Sequence, residues 1–172
     1  MKDSYYEVQA ATMTTISHFA DMLFREATGP APIITELYKL VKDKFKQNAV
    51  DKSVKISAIV GMSSLLAHFS AQIGKTETDA SLGIMVERAF NEGTWLNALQ
   101  GLHRLAESPC DVSRSLDNIV SGLVELMDKR TGTYKFEVYK TLIAYLTAHQ
   151  VKASTAGKVT QAVVKDIAPE DF

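Results

Sequence analysis

Apolar residues recur at intervals of three and four positions along almost the whole chain, and this periodicity constrains the fold more than any other feature. Such spacing places apolar side chains on one face of an α-helix. No stretch shows the sustained alternation of a half-buried strand. Short connections separate the periodic segments and favour antiparallel neighbours. The sequence therefore predicts an all-α fold, a compact bundle of seven or eight mostly antiparallel helices.

One segment, at about residues 51–73, is apolar around most of its circumference. It begins beside Asp51, a residue type that caps helices, and ends at Gly74, which suits the position after a helix. The segment is long enough to cross a bilayer, but several polar residues interrupt it. We predict that it is the central helix of the bundle, with Ile59, Leu66 and Phe69 in the core.

A chain of 172 residues is long enough for one domain with a sizeable core and short for two. We predict a single all-α domain over residues 1–172. A division into a helical core, 1–130, and a C-terminal helical pair, 131–172, is the alternative. The N-terminus has no pattern of a secretory signal. We therefore expect a cytoplasmic, soluble protein that does not associate with membranes.

Four glycines, Gly61, Gly83, Gly101 and Gly122, lie inside predicted helices. Each costs about 1 kcal/mol relative to alanine in a helix interior, so a compensating role is expected. Close crossing of two helices is one explanation, and a kink beside a ligand cavity is the other. Their spacing is loosely regular, but the flanking residues do not match. The sequence therefore gives no basis for an internal repeat.

The motifs of common catalytic and metal centres are absent, including phosphate-binding loops, the H-E-x-x-H zinc motif and the nucleophile elbow. His103 with Glu107, and His18 with Asp21, share a helix face and are predicted to form local contacts. Cys110 lies at the predicted start of a helix, a position that lowers a thiol pKa, although a structural role is favoured. We predict no catalytic residue, no metal ligand and no cofactor.

In the fifth and seventh segments the same periodicity predicts which side chains face the core. Those of the fifth segment are Trp95, Leu96, Leu99, Leu102, Leu105 and Ala106, and those of the seventh are Phe136, Val138, Tyr139, Leu142, Ile143 and Leu146. Helix packing is the expected role for all of them.

Charge is unevenly distributed, although the formal net charge is only −1. Residues 39–55 hold six lysines and two aspartates, residues 76–128 hold nine acids and three arginines, and residues 129–165 hold seven basic residues and one glutamate. Helices of opposite charge that pack side by side would explain this pattern. A basic surface for nucleic acid is the alternative.

The stretch from Tyr145 to Val159 contains the end of one predicted helix, a short turn and the polar start of another. It resembles the helix-turn-helix layout of DNA-binding regulators, in which the second helix enters the major groove. The candidate nucleic-acid-binding residues are Lys140, Lys152, Ser154, Thr155, Lys158 and Lys165.

These observations predict a non-enzymatic helical module for protein–protein interaction, such as an adaptor, a scaffold or a structural subunit. It would receive a partner helix in a groove or on a helix face, and the partner would be another protein or a second copy of the chain. The alternative is a nucleic-acid-binding regulator that uses the basic segment at about residues 140–165.

Overall fold

The predicted helices form in the computed structural model, which describes residues 2–26, 31–48 and 51–168. Within those residues there are eight α-helices and no β-strand. The helices are α1 (Lys2–Arg25), α2 (Ala31–Lys46), α3 (Lys52–Ile73), α4 (Lys75–Ala89), α5 (Trp95–Ala106), α6 (Leu116–Lys129), α7 (Gly132–Ala148) and α8 (Ala153–Ile167). The prediction of an all-α fold is confirmed.

Successive helices belong alternately to two layers. The first layer consists of α1, α3, α5 and α7, and the second consists of α2, α4, α6 and α8. In the first layer α1 packs on α3, α3 on α5 and α5 on α7, whereas in the second α4 packs on α6 and α6 on α8. The layers also pack on each other, because α2 contacts α3, α4 contacts α5 and α6 contacts α7. This alternation is the arrangement of an α-solenoid, in which helix pairs stack on one another.

Neighbours within one layer run parallel. Between α1 and α3, Ser17 Oγ lies 2.7 Å from Ser64 Oγ, and Asp21 Oδ1 lies 3.0 Å from His68 Nε2, so residue numbers rise together along both helices. Between α6 and α8, Asp117 contacts Thr155 and Asp128 contacts Lys165. The consecutive helices α7 and α8 run in opposite directions, as the short connections predicted, because Lys135 near the start of α7 pairs with Asp166 near the end of α8.

The burial pattern repeats with a period of 40 residues in the first layer. The buried residues of α5 are Ala98, Leu99, Gly101, Leu102, Leu105 and Ala106, and each lies 40 positions after a buried residue of α3, namely Ala58, Ile59, Gly61, Met62, Leu65 and Leu66. Two- and three-helix repeats have periods of about 40–47 residues. The structure thus contains the internal repeat for which the sequence alone gave no basis.

Helix α3 is the central helix that the sequence predicted, because it packs on α1, α2, α4 and α5. Ile59, Leu66 and Phe69 are buried, as predicted. Asp51 caps its start by accepting a hydrogen bond of 2.8 Å from the backbone N–H of Ser53. Among the described helices, α3 is long and apolar enough to cross a membrane, by length and composition, but a core helix has the same properties and more than half of its apolar window is buried.

Three of the four helical glycines lie where helices approach closely. A Cβ on Gly61 would lie 3.2 Å from the carbonyl oxygen of Met13, and one on Gly101 would lie 3.3 Å from Ser63. A Cβ on Gly122 would lie 2.6 Å from Val86. Close crossing is therefore confirmed for these three. No heavy atom lies within 4 Å of the Cβ position of Gly83, so crossing does not explain that glycine.

The last two helices extend the same two layers. Helix α7 packs on α5 and α6, and α8 packs on α6, so both helices continue the stack that begins before residue 130. Whether the chain forms one domain or divides near residue 130 stays a prediction.

Candidate protein-binding surface

Helices α5 and α7 each have a row of side chains, here called a stripe, on the outer side of the first layer. The spacing of four, seven and eleven positions places such residues on one helix face. The stripe of α5 consists of Leu96, Gln100, His103 and Glu107, and that of α7 consists of Phe136, Lys140, Ile143 and Thr147. Each residue of the second stripe lies 40 positions after its counterpart in the first, as the repeat requires.

A groove of about 430 Å³ runs between these stripes. It is lined by His103, Glu107, Phe136, Lys140, Ile143, Ala144, Thr147 and Ala148. Two large apolar side chains lie beside it in solvent, because Phe136 is 65% exposed and Ile143 is 60% exposed. Exposed apolar residues that lie together at one groove are typical of interaction sites.

The prediction that Phe136, Ile143 and Leu146 face the core was wrong, because all three side chains are exposed. Leu96 was also predicted inside and is exposed. The position of one charged residue in the sequence could have corrected this prediction for α7. Lys140 stands between Phe136 and Ile143 at helical spacing, so those two apolar residues share their helix face with a charged residue.

The charges at the groove are few and partly paired. His103 Nε2 lies 3.6 Å from Glu107 Oε1, as the sequence predicted for that pair. Lys140 Nζ lies 4.0 Å from Glu137. One ammonium group and one carboxylate therefore flank an apolar floor, an arrangement suited to an amphipathic partner helix with charges at its edges.

A polar cluster joins α1, α3 and α5. Arg104 donates hydrogen bonds of 2.6 Å to Asp21 and 2.8 Å to Ser64, and Asp21 also contacts His68. The ring of Phe24 stacks on His68 at 4.2 Å between centroids. Burial lowers the pKa of His68, which keeps the imidazole neutral at physiological pH. The cluster links three successive helices of the first layer.

The predicted contact between His18 and Asp21 was wrong. Asp21 points instead towards the neighbouring helices, where it meets His68 and Arg104. His18 is exposed. Charge-assisted bonds to a guanidinium are stronger than a contact between exposed groups on one helix, and this favours the longer-range partner.

Several of the candidate nucleic-acid-binding residues pair with acidic residues of α6. Lys152 forms an ion pair with Asp117, and Thr155 donates a hydrogen bond of 2.8 Å to the same residue. Lys165 Nζ lies 2.8 Å from Asp128. These contacts hold the pKa of Asp117 low and raise that of Lys165. Oppositely charged helices thus pack side by side at this position.

The remaining candidates lie on two different helices. Lys140 is on the outer side of the first layer, whereas Ser154 and Lys158 are exposed on α8 in the second. Lys158 and Lys165 line a shallow cavity between α6 and α8 that also contains Asp128. The candidates are thus divided between two layers, and their role in nucleic-acid binding stays a prediction.

The geometry of α7 and α8 is that of an antiparallel hairpin. The hydroxyl of Tyr139 donates a hydrogen bond of 2.6 Å to Asp166, and Lys135 Nζ lies 2.6 Å from the same carboxylate. In a helix-turn-helix, the two helices cross at about 90–120°. At a rise of 1.5 Å per residue, such a crossing would place the backbones of Tyr139 and Asp166 roughly 24 Å or more apart, too far for this hydrogen bond. The two helices therefore differ from the DNA-binding arrangement that the sequence resembles.

Cys110 is buried, and burial raises the pKa of its thiol. The predicted location at a helix start was wrong, because α6 begins at Leu116 after a turn in which Ser113 N–H bonds Asp111. The cysteine thus lies apart from the helix N-terminus that would have activated it. Across the part of the chain that the structure describes, no three His, Cys, Asp or Glu side chains are grouped to hold a metal ion.

No family model matches the chain. Among curated proteins it is similar to cullin-associated NEDD8-dissociated protein 1 of Arabidopsis thaliana, with 23% identity over 153 residues that cover 86% of this chain and 12% of that protein. The protein of the same name from Dictyostelium discoideum is 26% identical over 129 residues, which cover 74% of this chain and 10% of that protein. The chain thus spans about a tenth of the length of these relatives.

Proposed function

We propose that the protein is a non-enzymatic helical scaffold that binds a protein partner through the groove between α5 and α7. The observation that carries this proposal is the exposure of Phe136 and Ile143 beside the groove. Both lie on a helix whose other face is packed in the core, so their exposure leaves the fold intact. A partner helix that covered them would remove apolar surface from water, which stabilises association by about 25 cal/mol per Å².

The rigid support of the groove favours the same role. Helix α5 is fixed on three sides by α3, α4 and α7, and Arg104 ties it to α1. A preformed groove loses little conformational entropy on binding. Stacked helix pairs use their extended surfaces in this way to bind other proteins.

The first partner to test is a cullin, because the relatives are named as cullin-associated proteins. Binding of a purified cullin would be measured by isothermal titration calorimetry with the wild-type chain and with Phe136→Ala/Ile143→Ala. We expect the variant to bind at least tenfold more weakly, since centrally placed apolar side chains dominate binding energy. Ile33→Ala/Leu40→Ala removes exposed apolar side chains from α2 and serves as the matched control.

Two outcomes would contradict the proposal. Equal binding by the wild type and the groove variant would show that the groove is not the site. Absence of binding by the wild type would remove the cullin as partner. The same titrations with duplex DNA test the nucleic-acid alternative, which predicts binding that weakens steeply with salt and is lost in Lys140→Glu/Lys158→Glu.

A further inference from the structure

The two helices that form the groove, α5 and α7, run parallel to each other. Near their starts the ring of Trp95 stacks on that of Tyr134 at 4.2 Å between centroids. Further along, the hydroxyl of Thr141 lies 3.4 Å from the carbonyl oxygen of Leu99. Residue numbers therefore rise together in both helices, and the C-terminal ends of α5 and α7 lie at the same end of the groove.

Opposite charges lie at two levels along this groove. Glu107 follows the last residue of α5, and the 40-residue repeat places it level with Thr147 of α7. Lys140 precedes Thr147 by seven positions, so the basic and acidic levels are about 10 Å apart at a rise of 1.5 Å per residue. A ligand in the groove thus meets a positive charge first and a negative charge at the C-terminal end.

Both charged groups are available to a partner. The side chain of Lys140 is 52% exposed and that of Glu107 is 66% exposed. Lys140 Nζ lies 4.0 Å from Glu137 Oε2, and Glu107 Oε1 lies 3.6 Å from His103 Nε2, each contact being within one helix. Such pairs on a helix surface contribute little to stability. A partner can therefore take over either charge without weakening the fold.

The apolar part of the groove is built from side chains of two sizes. Phe136 and Ile143 are large and exposed, whereas Ala144 and Ala148 line the groove four positions apart. Small side chains at a contact allow the axis of a packed helix to come close. The part of the chain that the structure describes has no strand edge to which an extended peptide could be added, which favours an amphipathic helix as the occupant.

We infer that the partner's binding segment is an amphipathic helix that runs antiparallel to α7 and carries a basic residue followed two turns later by an acidic one. The basic residue meets Glu107 and the acidic residue meets Lys140, because two turns span about 10 Å. The helix dipoles favour the same direction, since the positive N-terminal end of the partner lies beside the negative C-terminal ends of α5 and α7. This inference rests on the proposed function, whose groove it uses.

Two designed peptides of about 18 residues, or five helical turns, test the charge pattern. Both are amphipathic with leucines on one face. The first carries an arginine and, seven positions later, an aspartate, whereas the second carries arginine at both positions. Calorimetric titration of both peptides into the wild type and into Lys140→Glu completes a double-mutant cycle. We expect the wild type to bind the arginine–aspartate peptide at least about fivefold more tightly, and Lys140→Glu to prefer the arginine–arginine peptide.

A matched control separates the local effect of Lys140 from that of net charge. Lys158→Glu makes the same change of charge at an exposed residue of α8, in the second layer. It should keep the order of affinities of the wild type. The direction of the bound helix is measured with a nitroxide at the N-terminus of the arginine–aspartate peptide. The nitroxide should broaden the amide NMR signal of Thr147 more than that of Phe136.

Four outcomes would overturn the inference. They are equal binding of the two peptides by the wild type, no binding of either peptide, the same order of affinities in Lys140→Glu as in the wild type, and stronger broadening at Phe136 than at Thr147. The proposed function is judged separately, by the cullin titration. Peptides that bind equally to the wild type, and both more weakly to Phe136→Ala/Ile143→Ala, would keep the groove as the site and refute the charge pattern alone.

Discussion

The close approach of α4 and α6 leads to a quantitative prediction for Gly122. A Cβ added there would lie 2.6 Å from Cγ1 of Val86, far inside van der Waals contact. Val86 is buried and β-branched, so its side chain has little freedom to move away in a helix. Alanine gains about 1 kcal/mol of helix propensity over glycine, but overpacking costs about 1–3 kcal/mol. We therefore expect Gly122→Ala to lower the free energy of unfolding by up to about 2 kcal/mol.

Gly83 provides the control, because it lies inside α4 with no heavy atom within 4 Å of its Cβ position. Gly83→Ala should raise the free energy of unfolding by about 0.5–1 kcal/mol, since only the propensity term applies. The propensity term cancels between the two variants, so their difference of about 1–3 kcal/mol measures the packing term.

The assay is urea denaturation followed by circular dichroism, with unchanged m values as the sign that the folded state is the same. A third variant, Gly122→Ala/Val86→Ala, removes the methyl group that collides with the new Cβ. We expect part of the loss to be recovered, as a favourable coupling energy between the two positions. If Gly122→Ala is as stable as Gly83→Ala, the close approach of α4 and α6 is refuted.

Two further predictions concern α3. Leu66→Ala should lower the free energy of unfolding by about 2–5 kcal/mol because the side chain is fully buried, and a loss below about 0.5 kcal/mol in the same assay would contradict its central position. Burial lowers the pKa of His68, so the unfolded chain binds a proton there at higher pH than the folded chain. The urea midpoint should therefore fall as pH drops below about 6.5, and His68→Gln should reduce that fall; an equal fall in both proteins would refute the role of His68.

The elements of the fold could be predicted from sequence because their signals are local. Asp51 accepts the hydrogen bond expected of an N-cap, and Gly74, with φ of 93°, adopts the backbone conformation that favours glycine after a helix. The long uncharged run between them could be accommodated only in a position surrounded by other helices. Each of these conclusions depends on neighbouring residues in the chain, which the sequence contains in full.

The candidate site could not be predicted in the same way, because periodicity does not decide which part of a broad apolar face is covered. Helix α7 carries apolar residues over more than half of its circumference, from Val138 and Leu142 inside to Phe136 and Ile143 outside. The boundary is set by α5 and α6, whose positions are tertiary information. Similarly, Asp21 has an acceptable partner on its own helix in His18, yet it bonds residues 47 and 83 positions away.

The repeat escaped detection for a related physical reason. Each helix in the stack contacts only its neighbours, so a pair of facing residues can change together without affecting the rest. At the position of Gly61 the next two repeats have Gly101 and Thr141, which share small size rather than identity. The polar contacts between neighbouring helices differ too. Ser64 of α3 contacts Ser17 of α1, whereas the counterpart of Ser64 in α5 is Arg104, which donates a hydrogen bond to Ser64. What recurs every 40 residues is burial, which depends on side-chain volume and polarity, and comparison of residue identities does not detect it.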